Sequence, residues 1–114
     1  MSQARAPIAR AILSLADYCQ SKIPAHLRDK LQVGYRVRGR SLVLFERRPS
    51  FVNQEQWVEV AVAQFRYDAV RNLWSLYWAD RNSRWRPYDG RKPTRRIEAL
   101  LAEVDRDPTG IFWG

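Results

Sequence analysis

The hydrophobic period of this chain changes twice along its length, and the changes divide it into helix, sheet and helix. Ile8, Ile12, Leu15, Cys19 and Ile23 recur at spacings of three and four, which puts them on one face of a helix. Pro7 suits the first turn of that helix and Pro24 ends it. Residues 1–6 are expected to be disordered ahead of it. From Leu31 the period becomes two: Leu31, Val33, Tyr35 and Val37 alternate with Gln32, Gly34, Arg36 and Arg38, the pattern of a half-buried strand. Gly39-Arg40 fits a tight turn, after which Ser41 to Arg47 returns with Val37 facing Leu42 and Tyr35 facing Leu44.

The stretch "RRPSFVNQEQ" interrupts the alternation with proline and polar residues and reads as a long loop. A third strand is expected from about Trp57 to Tyr67, a fourth from Leu73 to Ala79 and a short fifth from Arg84 to Tyr88, with "DAVRN" and "DRNS" as the turns. In "PTRRIEALLAEVD" the period returns to helical at Ile97, Leu100, Leu101 and Val104, and Asp107-Pro108 closes the segment. The apolar "TGIFWG" is expected to fold back on the domain. The chain therefore reads as a single α+β domain over 1–114: an N-terminal helix, a five-stranded antiparallel meander and a C-terminal helix, with both helices on one sheet face.

Turns of about four residues each pair Phe65 with Trp74, Ala63 with Leu76, Ala61 with Trp78, and Trp78 with Trp85. Because alternate residues share a face, this register assigns those tryptophans to the core under the helices. The opposite face then carries Gln64, Arg66, Ser75, Tyr77, Arg84, Arg86 and Tyr88, and Arg36 and Arg38 lie on the matching face of the first hairpin.

Charge gives that second face its interest. Twenty Lys and Arg against twelve Asp and Glu leave a net charge of +8, and seventeen of the twenty cations are arginine. The guanidinium fork binds phosphate or carboxylate in pairs of hydrogen bonds and stacks on aromatic rings. Arginine interleaved with tyrosine on a sheet suits a single-stranded nucleic acid, whose phosphates meet the cations while its bases stack on the rings. Arg36, Arg38, Arg66, Tyr77, Arg84, Arg86 and Tyr88 are thus the candidate binding residues for nucleic acid or another polyanion. A protein partner or a homodimer, using the same face and the apolar tail, is the competing reading.

Conventional catalysis finds little support. The single cysteine, Cys19, lies on the apolar helix face, and the single histidine, His26, stands apart from it. Neither a His/Cys metal set nor a glycine-rich phosphate loop is present, so no cofactor and no metal are expected. A small metal-dependent phosphodiesterase built from His26, Glu46, Asp80 and Asp89 is the remote catalytic alternative. The lone thiol points to a reducing, cytoplasmic setting, and the apolar runs fall short of the ~20 residues that cross a bilayer.

The motifs "IPAHLRDKL", "VRGRSLVLFERRP", "VAQFRYD", "LWSLYWADRNSRWRPYD" and "LLAEVDRDPTGIFWG" together resemble a family of small bacterial proteins, domain of unknown function three-zero-two-four. The resemblance covers about residues 23 to 114. It implies a free-standing bacterial domain and brings with it no activity, ligand or partner.

Overall fold

The computed structural model describes residues 5–113. Helix α1 (Arg5–Lys22) leads through a short 3-10 turn (Ala25–Leu27) into β1 (Gln32–Arg38), β2 (Ser41–Pro49), β3 (Trp57–Asp68), β4 (Leu73–Ala79) and β5 (Trp85–Pro87), and α2 (Ile97–Arg106) follows. The five strands form one antiparallel sheet in chain order, the expected meander. Arg5 and Ala6 already belong to α1; the rest of the segment expected to be disordered lies outside the described residues.

One core explains the architecture. Leu42 and Leu44 of β2, Ala63, Phe65 and Tyr67 of β3, and Trp74 and Leu76 of β4 are buried on one sheet face. The buried Ala11 and Leu15 of α1 and Ile97, Leu100, Leu101 and Val104 of α2 pack with them in the same cluster, so both helices cover that face. The opposite face of the sheet is open. Tyr18 and Lys22 of α1 both donate to Asp105 Oδ1 of α2, at 3.0 and 2.8 Å, which ties the two helices at their outer edge.

The tail joins this helix layer. Asp107 takes the left-handed conformation (φ 43°) that ends α2, and its carboxylate accepts from the backbone N–H groups of Phe112 and Trp113. Phe112 is buried against the ring of Tyr88, with centroids 5.1 Å apart, and Lys22 Nζ sits 4.8 Å from the Trp113 ring centroid. The apolar tail is therefore bound within its own chain.

Strand register follows the expectation in the first hairpin, with Tyr35 opposite Leu44 and Val37 opposite Leu42. Three corrections follow further along. Phe65 pairs with Leu76 and Tyr67 with Trp74, a slip of two residues that keeps every side chain on its expected face. Its cause is the Asp68 carboxylate, which caps the N–H groups of Val70 and Arg71 and pushes the turn later.

The second correction concerns the long hairpin. Leu44 pairs with Ala63 but Phe45 with Ala61, so Val62 is an unpaired bulge residue. From there toward the loop the faces of β3 reverse relative to a regular strand, and Ala61 is exposed instead of packing with Trp78.

The third correction reaches the candidate site. Trp78 pairs with Arg86, and Trp85 with Ala79. The turn between them is closed by Asp80 N–H donating to the Arg84 carbonyl, with Ser83 at φ 61°. That loop of odd length shifts the register by one and turns the faces of β5 over.

Candidate nucleic-acid interface

The ladder partners divide the open face into rows. Arg38, Ser41, Arg66 and Ser75 form one row across β1 to β4. Arg36, Val43, Gln64, Tyr77 and Pro87 form the next. Gly34, Phe45 and Ala61 lie in the third, and Trp85 stands beyond Tyr77 at the β5 end. Arg36, Arg38, Arg66 and Tyr77 thus share the face expected of them.

Within these rows the arginines are in different states. The Arg66 guanidinium lies 3.8 Å from the Tyr77 ring centroid, and its Nε donates to Gln64 Oε1 at 2.7 Å. This stack holds the fork in place and leaves its two terminal nitrogens unused in hydrogen bonds to the described residues. Arg36 is occupied: its terminal nitrogens donate to both carboxylate oxygens of Glu59, at 3.0 and 2.9 Å, while it covers the Phe45 ring at 4.9 Å. Among the described residues no acid pairs with Arg38, Arg66 or Arg47, the last on the same face beside Glu59.

Arg84, Arg86 and Tyr88 do not join this face. The one-residue shift of β5 puts Arg86 opposite Trp78 on the helix side, where its Nε donates to Asp80 Oδ2 at 2.9 Å. Asp80 also accepts from the N–H groups of Asn82 and Arg84; the Arg84 bond, then that of Arg86, holds its carboxyl below the ordinary range. Arg84 belongs to this turn. Tyr88 packs on Phe112 and donates its hydroxyl to Glu103 Oε2 at 2.5 Å, and that bond is the first cause pushing its pKa up to about 12. On the helix side of the sheet Arg86 thus ties β5 to its turn and Tyr88 ties it to α2 and the tail, while Arg84 contributes its backbone to the turn.

Two aromatic residues of the open face were not foreseen. Trp85 arrives there through the odd turn. Phe45 lies over Gly34, where an added Cβ would come within 2.8 Å of its ring. A glycine inside an alternating strand is a readable sign of such close approach, whereas nothing in "DRNS" announced the turn length.

The remote catalytic set does not assemble. His26 sits in the 3-10 turn, Glu46 on β2, Asp80 in the β4–β5 turn and Asp89 past β5, and among the described residues no three His, Cys, Asp or Glu side chains are grouped as a metal site would require. Cys19 is half-buried, and burial pushes its thiol up to about 11, away from nucleophilic use. No described helix is long and apolar enough to cross a membrane.

The family model described as Domain of unknown function (DUF3024) matches residues 4–114. The chain belongs to the DUF3024 family. The match begins well before residue 23, so α1 is part of the family's domain as much as the sheet is. No curated protein and no solved structure matches the chain.

Proposed function

We propose that this DUF3024 domain is a noncatalytic nucleic-acid-binding module that uses the open sheet face, with Arg38 and Arg66 meeting phosphates and Tyr77 and Trp85 offering rings to bases. One observation carries the reading: Arg66 is stacked on Tyr77 and held by Gln64, and among the described residues no acid pairs with it and neither helix nor tail covers its face. A guanidinium fixed this way has already lost its freedom before a phosphate arrives, and its outer plane is itself a surface for a base. The net charge of +8 draws any polyanion toward the protein. The Cys19 thiol favours a reducing, cytoplasmic setting.

The test is binding of labelled single-stranded DNA, single-stranded RNA and duplex DNA across a salt series, with heparin as a control polyanion. Preference for a single strand that persists near physiological salt supports the reading. Arg38→Ala and Arg66→Ala should each weaken binding and lower the salt slope by about 0.7 per lost phosphate contact, while Arg86→Ala, on the other face, should leave both unchanged. Low-salt binding that survives Arg38→Ala, Arg66→Ala and Tyr77→Ala together would show that the face is wrong.

A further inference from the structure

The β2–β3 hairpin carries apolar surface that the core does not use. Toward the loop the buried residues of β2 and β3 end at Leu44 and Val62, and the molecule is drawn out to 45 × 26 × 23 Å. Toward its loop, the ribbon from Glu46 to Val60 leaves Val58 and Val60 40% and 39% exposed, and Phe51 and Val52 at the tip are 103% and 93% exposed. Isolated exposed valines need no explanation, but a row of them ending in a fully exposed phenylalanine does.

The bulge at Val62 sets what surrounds these valines. On the helix side of the ribbon Glu46 lies opposite Val60, and Arg48 lies opposite Val58. Four adjoining positions thus hold an acid, a base and two valines. Glu46 and Arg48 approach each other only to 3.7 Å within the chain; the arginine side chain is 58% exposed and that of Glu46 17%, so Arg48 is open to another partner and Glu46 reaches the surface in part.

This quartet is complementary to itself. A two-fold axis crossing the ribbon between the two residue pairs sets Glu46 against Arg48 of a second copy, Arg48 against its Glu46, and Val60 against its Val58. That is the relation an isologous interface requires. Four side chains fall short of the ~800 Å² per partner of a standard interface. The same axis carries the second copy's Phe51 and Val52 toward the helix layer, at whose near end the 3-10 turn leads into Gln32, opposite Arg47 at the root of the ribbon. Leu27 in that turn is exposed.

We propose that the helix-side face of the β2–β3 arm, with Glu46, Arg48, Val58 and Val60 at its centre and Phe51 at its tip, docks on the same face of a second copy of this chain. The occupied face is opposite the Arg66–Tyr77 face, so this pairing and nucleic-acid binding stand or fall separately.

The experiment is sedimentation velocity of the full chain over a concentration series in moderate salt. The wild type should show a concentration-dependent dimer. Glu46→Arg or Arg48→Glu should each raise the dissociation constant by about tenfold or more, since each places like charges together, and the double exchange E46R/R48E should restore it. Phe51→Ser, at a site exposed in the monomer and therefore harmless to folding, should weaken it too. A wild type that stays monomeric at all concentrations, or a dimer indifferent to the single reversals and to Phe51→Ser, would overturn the proposal.

Discussion

Glu59 holds both terminal nitrogens of Arg36 from across β2, so one of the four arginines on the open face arrives already neutralised. The pair is exposed, with side chains 51% and 37% accessible, and is a matter of field more than of stability. Removing the acid should release a cation to the face. Glu59→Gln is therefore expected to tighten binding of single-stranded DNA at low salt and to steepen its salt dependence by about 0.7, as read by fluorescence anisotropy. Unchanged affinity would mean that Arg36 lies off the path of the strand.

The stack between Arg66 and Tyr77 makes a sharper distinction possible. Lysine at 66 keeps the charge and loses the planar fork, so Arg66→Lys should retain electrostatic attraction while losing much of its affinity for a single strand. Tyr77→Phe should behave nearly as wild type, and Tyr77→Ala should lose about 1–3 kcal/mol if the ring stacks on a base. Titration of the variants against one oligonucleotide decides the matter; equal affinities for lysine and arginine at 66 would reduce the face to a diffuse positive field.

Alkaline stability should report the Tyr88–Glu103 hydrogen bond. The bond favours the protonated phenol and raises its folded pKa from 10.0 to about 12, so the stabilisation is complete below pH 10 and is lost as pH rises toward the folded value. Urea unfolding between pH 9 and 12 should show this loss, and Tyr88→Phe should shrink it. What remains belongs in part to Tyr18, which burial and then its bond to Asp105 also hold protonated. An alkaline limb unaltered in Tyr88→Phe would contradict the assignment.

Asp107 does two jobs that substitution can separate. Its left-handed backbone ends α2, and its carboxylate clamps the N–H groups of Phe112 and Trp113. Asp107→Gly keeps the first and loses the second, so it should cost about 1.5–3 kcal/mol through the charged hydrogen bonds and speed amide exchange at 112 and 113. Asp107→Ala adds backbone strain and should cost more. If the glycine variant is as stable as wild type, the clamp contributes nothing.

The helices, the strands and their order were legible because period, turn residues and proline positions agree with one another along the chain. Leu15 and Leu100 announced their burial by spacing alone, and Tyr35–Leu44 followed from a turn whose glycine is in view. The errors arose where a single residue changes parity. Ser83 in a left-handed conformation leaves no mark in the hydrophobic pattern, yet the odd turn it belongs to moved Arg86 and Tyr88 to the helix side and brought Trp85 to the open one, while the bulge at Val62 set Ala61 on the open face. The Arg/Tyr face was readable in its centre, at Arg36, Arg38, Arg66 and Tyr77, and misread at its β5 edge. Pairing between charges, as between Arg36 and Glu59, depends on that same parity and was out of reach.

Val62 has a consequence beyond its own burial. If the ladder ran on without the bulge, with Phe45 opposite Val62 and Glu46 opposite Ala61, the β3 side of the hairpin arm would turn over at a stroke. Glu59 would leave Arg36 for the helix side, and Val58 and Val60 would emerge among the arginines. Two surfaces of opposite character are thus kept apart by one extra residue, and a one-residue slip of β3 that took it up would alter both with no change in composition.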